Sequence, residues 1–366
     1  MRVVMLSKAC IVGAYQRKLE ALASLAPELE LTVLVPPYWQ DERGRIPLER
    51  AHTHGYTLRV LPMRFNGQFH LHYYPDLRAA LRELRPQLVH IDEEPYNLAT
   101  YHANRVARHL GARTLWFSWQ NLHRRYPPPF SWLERYNLRH TDYALVGSQT
   151  AAAVWRAKGY RGPLAVIPQF GVDPALFAPP PAREDAPLHI VYAGRLVPEK
   201  GVDLLLRALD GLAGEWRATI LGSGPEEAAL RAQAARLSCA ARIRFAPPIP
   251  SVEMPGFYQR ADVLVLPSRA RPNWMEQFGR TLIEAMACGA VVVGAESGEI
   301  PHVIGEAGLT FPEDDVAALR AALAALTADP ARRCELTERG RARVLAHFTQ
   351  EHIARQTLAV YREVLG

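Results

Sequence analysis

The sequence predicts an α/β protein made of two Rossmann-like domains, on three observations. Its opening runs strand, loop, helix, strand: Arg2–Leu6 is apolar and ends at Ser7, 14–25 has helical character, and 31–35 is apolar again. A second alternation of the same kind starts at Leu188, after a proline-rich, polar stretch over 178–187 with the composition of a stiff linker. The 366 residues suffice for two separate cores.

Taken in order, further strands of the first half fall at 57–61, 88–91, 113–119, 143–146 and 164–167, with helices at 76–84, 96–109, 132–139 and 151–158. Short apolar runs bounded by turn residues suit parallel strands buried on both faces. Ligands of such open sheets sit beyond the carboxyl ends of the strands. The loops 7–13, 92–97 and 120–129 are therefore expected on one face, with a ligand against them. The domain boundary falls near 175–187, which assigns 1–177 to the first domain and 188–349 to the second, followed by a helix over 350–366. That helix carries an apolar stripe of Ile353, Leu358, Val360, Tyr361 and Val364.

Strands of the second half fall at 188–192, 218–221, 243–245, 261–266 and 290–293. The first is followed by Gly194-Arg195-Leu-Val-Pro-Glu199-Lys200-Gly201 and a helix over 202–209. Arginine chelates phosphate oxygens through its fork, while lysine is a mobile point charge. Only four lysines (8, 18, 158, 200) accompany 39 arginines, which makes a lysine in this loop more informative than usual; a solvated βα loop is the plainer alternative. Leu221-Gly222-Ser-Gly224-Pro225-Glu226 opens another helix, but Glu227 stands where a dinucleotide fingerprint needs its third glycine. From Pro267-Ser268 a polar loop leads through Glu276 and Gly279 to a helix over 281–287 that contains Glu284. Free N–H groups at a helix start attract an anion. Eight positions separate the two carboxylates by up to ~12 Å, so a diphosphate there would have an acid on either side, suited to hydroxyl groups. Two surface glutamates flanking a core helix remain the bland alternative.

Glu276-Gln-Phe-Gly279-Arg280 through Glu284-Ala-Met-Ala-Cys-Gly289, with Leu266-Pro267-Ser268 before it, resembles the donor-site motif of retaining GT-B glycosyltransferases of family 4, glycosyl transferases group 1. The resemblance extends over nearly the whole chain and is strongest over 190–315. It implies a GT-B fold, two Rossmann-like domains facing across a cleft, with the last helix packed back on the first domain. By its residues alone that helix could equally pack locally. The implied reaction moves a hexosyl unit from a nucleoside-diphosphate sugar to an acceptor hydroxyl, with retention of configuration. Arg195 and Lys200, in a loop that begins at Gly194, would hold the donor diphosphate, and Glu276 would position the transferred sugar; these three are the candidate catalytic residues. Glu284 would bind ribose hydroxyls, the amides around Phe278 and Gly279 would face donor oxygens, and Gly222 would lie near the nucleotide, although a structural turn explains it as well. Ile249-Pro250 would approach the base. Gly13 would let backbone approach the donor phosphate, or is a turn glycine.

Phe117-Ser118-Trp119-Gln120-Asn121 aligns with a segment where family members often place a histidine, and Gln120 takes that position. Glutamine hydrogen-bonds a hydroxyl but is no base. Gln120, His123, Arg124 and Asp92 are the acceptor candidates, each with a structural or solvent-facing alternative; the neighbouring Glu93 and Glu94 are weighed with them. Pro168-Gln-Phe170-Gly-Val-Asp173 resembles the family's hinge, with Phe170 inserted.

Between Arg105 and His140 stand seven arginines against one acid, Glu134, a surplus of +6 that equals the net charge of the whole chain. Aromatic residues are interleaved among them. A basic, aromatic stretch suits an anionic membrane surface or an anionic acceptor; a solvated helix face beside strand-core aromatics is the alternative. No nucleic-acid-binding motif accompanies it, and no nucleic-acid partner is expected. No two aspartates stand two positions apart, so a D-x-D pair for Mg²⁺ is missing and no metal or cofactor is expected. His70-Leu-His72 has strand spacing for two ligands but no third nearby. The scattered cysteines 10, 239, 288 and 334, the lack of a spanning apolar run and the absence of a signal-peptide pattern lead to an expected cytoplasmic location, peripheral to the inner face of the membrane if the basic stretch binds it. The partners expected are a nucleotide sugar and a glycan, lipid or small-molecule acceptor. A sugar-nucleotide epimerase of the same architecture and an inactive nucleotide-sugar-binding protein are the rival functions.

Overall fold

The computed structural model describes residues 1–41, 44–181 and 187–366, so residues 182–186 of the expected linker lie outside the described residues. The chain divides into two compact units, Met1–Gly171 with Gln350–Gly366, and Val172–Thr349.

In the first unit β1 (Arg2–Leu6), β2 (Glu30–Val35), β5 (Thr57–Val60), β6 (Leu88–Ile91), β7 (Arg113–Ser118), β8 (Tyr143–Val146) and β9 (Leu164–Val166) form one sheet, while β3 (Tyr38–Asp41) and β4 (Gly44–Pro47) form a separate hairpin. The sheet order is β5-β2-β1-β6-β7-β8-β9, and every pair is parallel. Helices cover both faces, so β6 and β8 are buried along their whole length, which is why their sequences are apolar without alternation. The expected helix over 14–25 starts later, at Arg17, because Gly13–Gln16 winds as a 3-10 turn. The hairpin is not visible as a hydrophobic pattern: β4 alternates half-buried with exposed positions.

The terminal helix Gln350–Leu365 belongs to this unit. Ile353, Leu358 and Tyr361 pack in one cluster with Val3, Met5 and Leu19. The Tyr361 hydroxyl lies 2.7 Å from His90 Nδ1 on β6. Residues 172–177, assigned above to the first domain, belong to the second unit. Val172 N donates to Phe348 O at 2.8 Å, and Val172 bridges to Thr349, so the segment is tied to the far end of the second unit's last helix.

The second unit holds β10 (Leu188–Ala193), β11 (Trp216–Leu221), β12 (Ile243–Ala246), β13 (Val263–Leu266), β14 (Val291–Ala295) and β15 (Leu309–Phe311), all parallel, in the order β12-β11-β10-β13-β14-β15. The order reverses direction beside β10, as it does beside β1 in the first unit. Such a reversal opens a crevice between the loops that leave the two central strands. The helix Val202–Leu209 buries Leu204, Leu205, Leu206 and Leu209 in the core of this unit, under β10. Helix Arg280–Ala287 packs beneath β13 and β14 with Leu282, Ile283 and Met286 fully buried.

Candidate functional site

The loops that leave β10 and β11 press tightly together. Gly222 has φ +147°, and a Cβ there would stand 1.8 Å from the Gly194 carbonyl oxygen. No other residue fits both the conformation and the approach. The Tyr192 hydroxyl donates to the Arg195 carbonyl at 2.8 Å and holds the backbone of the first loop. Arg195 itself points its side chain outward: it is exposed and makes no side-chain hydrogen bond or ion pair among the described residues. Its loop borders a cavity of about 370 Å³, within the range of small-molecule sites. Gly194, Arg195, Gly222, Ile249 and Glu284 line it; Pro250 does not.

Glu284 occupies the second turn of the helix Arg280–Ala287. Its Oε2 accepts the Tyr258 hydroxyl at 3.1 Å, and Arg280 Nε lies 2.7 Å from Oε1. Burial pushes the Glu284 carboxyl up from its ordinary value, and Arg280 opposes that shift. A carboxylate so placed is held ready to accept from hydroxyl donors. Glu276 and Lys200 do not line that cavity and pair with each other: Lys200 Nζ stands 2.5 Å from Glu276 Oε2, which also accepts from Ser268 Oγ at 3.0 Å. The ammonium sits 4.9 Å from the Trp274 ring centroid. Phe278 packs its ring edge-on to Phe348, 5.7 Å between centroids, so its side chain belongs to the core. Gly279, at φ +78°, begins the helix in a left-handed turn that few side chains tolerate. The structure thus gathers Gly194, Arg195, Gly222 and Glu284 around one cavity, and joins Lys200 to Glu276 as a pair.

In the first unit Asp92, Gln120 and Gly13 are each engaged by other residues of that unit. Asp92, 4 % exposed, accepts from Ser7 Oγ at 2.5 Å and from Gln169 Nε2 at 2.9 Å, and so clasps the loops after β1, β6 and β9. Gln120 is buried and donates to Leu122 O at 2.8 Å. His123 and Arg124 are exposed. Gly13 N donates to Glu49 Oε2 at 2.6 Å, and a Cβ on Gly13 would lie 2.7 Å from Ala51 Cβ; local packing accounts for this glycine. His70 lies in a turn and His72 just after it, neither on a strand, and His72 Nε2 faces Glu93 Oε1 at 3.4 Å. Among the described residues no three His, Cys, Asp or Glu are grouped to hold a metal ion.

Residues 19–176 match Glycosyltransferase Family 4, and residues 176–343 match Glycosyl transferases group 1. The lipopolysaccharide core biosynthesis mannosyltransferase LpcC of Rhizobium leguminosarum bv. viciae is 33 % identical over 250 residues, 62 % of this chain and 69 % of that protein. The chain belongs to glycosyltransferase family 4.

A second family 4 relative is the GDP-mannose-dependent alpha-(1-6)-phosphatidylinositol monomannoside mannosyltransferase of Mycolicibacterium smegmatis, 36 % identical over 199 residues. That match covers 49 % of this chain and 52 % of the relative, so the similarity spans about half of that protein. Among solved structures, Anabaena Alr3699/HepE in complex with UDP superposes with a TM-score of 0.74 at 18 % identity, covering 99 % of this chain and 100 % of that one, a likeness of fold. The two Rossmann-like units are those of the GT-B fold.

Of the charged groups in the first unit of this family 4 chain, sequence reasoning assigned no role to Lys8, while Glu93 and Glu94 were among those weighed. Lys8, after β1, is paired with Glu93 and lies 4.7 Å from the Phe69 ring. Burial raises the Glu93 carboxyl, yet Lys8 and His72 outweigh it and draw the value down to about 2. Glu94 accepts from Ser118 Oγ at 2.5 Å and Trp119 N at 2.8 Å, and burial lifts it to about 7 against those bonds. A signal for Lys8 was present. All four lysines of the chain are engaged: Lys8 with Glu93, Lys18 with the Gln169 carbonyl, Lys158 with Glu134 and Lys200 with Glu276. In a chain this rich in arginine, lysine marks places that need a compact cationic head.

Proposed function

We propose that the protein transfers a hexosyl unit from a nucleoside-diphosphate sugar to an acceptor hydroxyl, with retention of configuration. What carries this reading is the cavity of the second unit, where an unpaired Arg195 guanidinium and the buried Glu284 carboxylate border one space of about 370 Å³. The nucleoside occupies that cavity, with its ribose hydroxyls donating to Glu284 and its base against Ile249. Arg195 takes a diphosphate oxygen through its fork. Lys200 supplies a second positive charge, and Glu276, already its partner, receives hydroxyls of the sugar.

In the reaction the bond between the anomeric carbon and the diphosphate oxygen breaks. A bond from the acceptor oxygen to that carbon forms on the same face, and the acceptor proton passes to the departing diphosphate. Two fixed cations stabilise the charge that develops on the leaving group, so transfer is expected to persist in EDTA. One relative above is a GDP-mannose-dependent mannosyltransferase and the other, LpcC, is a mannosyltransferase, which makes GDP-mannose the first donor to test. Acceptors to test first are glycan and lipid-linked hydroxyls.

The deciding experiment incubates the purified chain with UDP-, GDP- and ADP-hexoses, with and without an acceptor, and follows nucleoside-diphosphate release and donor identity. Acceptor-dependent release from one donor class supports transfer. Isomerised donor without an acceptor would point to an epimerase, and donor binding without turnover to an inactive binding protein.

A further inference from the structure

A cavity of about 570 Å³ opens on the helical face of the first unit, between helices Leu77–Leu84, Leu98–His109 and Phe130–His140. Its lining includes Arg78, Tyr101, His102, Arg105, Arg108 and Tyr136, and no carboxylate. Helix Leu98–His109 starts next to the loop 92–97. At ~1.5 Å per residue its arginines lie roughly 10–15 Å along the axis from that start, away from the strand ends where an acceptor is expected.

The charges in this cavity are not neutralised from within. Arg78 makes no side-chain hydrogen bond or ion pair among the described residues. Arg105 donates to the Tyr101 hydroxyl at 3.0 Å and lies 5.5 Å from the centre of that ring, so a neutral phenol fixes it. Arg108 donates to the His140 carbonyl at 2.7 Å. Asp142 lies 4.0 Å from Arg108, and its oxygens already take Arg113 Nη1 and Thr114 N at 2.8 Å each. Elsewhere arginines of this chain meet acids directly, as Arg59 meets Glu83 and Arg269 meets Asp203. The Tyr101 and Tyr136 rings stand edge to face, 4.9 Å apart, and give the cavity a firm wall. Burial and the Arg105 charge both lower the pKa of His102, which leaves that ring a neutral partner.

We propose that this cavity is a second anion site, built to hold a phosphate-bearing ligand, either the head group of a lipid or a soluble phosphate ester. Several guanidinium forks around one space match the oxygens of a phosphate better than a single carboxylate. Repulsion among these cations is relieved when such an anion enters. This site is separate from the donor cavity and stands whether or not the transferase reading does.

The test uses the full chain carrying Arg195→Ala, which removes the candidate donor contact, and compares it with the same protein bearing Arg78→Gln or Arg105→Gln. Calorimetric titration with inorganic phosphate and with glycerol 3-phosphate covers the soluble source. Sedimentation with phosphatidylcholine vesicles, with and without phosphatidylinositol, covers the lipid source. We expect binding in the Arg195→Ala protein, a perturbed His102 ring resonance on addition of ligand, and a loss of about ten-fold or more for each further arginine variant. Vesicle binding that glycerol 3-phosphate does not displace assigns a lipid head group; displacement assigns a soluble ester. Thermal melts confirm that the variants fold. No binding of any probe, or binding unchanged in both arginine variants, overturns the proposal.

Discussion

The first unit and the second place the same kind of crevice in their sheets, beside β1 and beside β10, yet they treat charge there in opposite ways. In the first, Lys8 and Glu93 neutralise each other beside His72, and Asp92 is consumed by Ser7 and Gln169. In the second, the backbone of the loop is clamped by Tyr192 and Gly222, and the Arg195 side chain has no partner among the described residues, beside a cavity. A charge that is already satisfied holds loops together; one kept in place but unsatisfied is available to a ligand. The contrast singles out Arg195 within the proposed donor site, whose other members Lys200, Glu276 and Glu284 already hold partners that a ligand would have to share.

The comparison yields measurable differences. Lys8→Ala strands a fully buried carboxylate, and breaking a buried pair costs about 3–5 kcal/mol; urea unfolding should register that loss while nucleotide-sugar affinity holds. Since Glu93 is drawn down to about 2, the stabilisation it contributes in the wild type is present above its usual value of 4.5 and fades as pH falls through about 2. In Lys8→Ala that acid-side loss should shrink. If Lys8→Ala instead abolishes donor binding at unchanged stability, the contrast between the units is wrong.

Arg195→Ala is expected to do the reverse. Unfolding free energy should move by no more than about 0.5 kcal/mol, while loss of a charge-assisted bond weakens donor binding or transfer by ~10–150-fold. Steady-state kinetics with the preferred donor decides it. Lys200→Ala should show both effects together, because it also leaves Glu276 with the Ser268 hydroxyl in place of its cation.

Glu94 sharpens the picture on the pH axis. Burial lifts its carboxyl to about 7, so the folded chain holds that proton more tightly than the unfolded one and stability falls as pH rises from about 4.5 through about 7. Glu94→Gln should flatten that part of the curve in denaturant titrations at stepped pH. The smallest effect is expected from Tyr258→Phe, which removes one hydrogen bond to Glu284. Its cost of about 0.5–1.5 kcal/mol should appear as a drop in donor affinity of roughly ten-fold or less, by calorimetry.

Much of the fold was legible because parallel strands buried on both faces write themselves as short apolar runs. β6, β8, β10 and β14 are wholly buried and were each visible as such. The hairpin of β3 and β4 and the three-residue β15 were not; β4 alternates half-buried with exposed positions and β15 buries only Phe311 fully. The basic stretch of the first half divides in space. Trp116 and Phe117 are buried on β7, Arg113 is tied to Asp142, and Arg105 and Arg108 turn to a cavity that also takes Arg78 from another helix. A linear charge count could not make that division.

By itself the sequence determined the α/β class, the repeat of one domain type and the residue kinds of the donor motif, because periodicity and loop composition are local properties. Only the tertiary structure decided which of those groups neutralise each other. It paired Lys200 with Glu276, left Arg195 open, closed Asp92 within its own unit and set the boundary at Gly171, where hydrogen bonds to residues 348–350 change side. Pairing depends on distances between loops far apart in the chain, and those distances are set by strand order and packing, which no stretch of sequence contains alone.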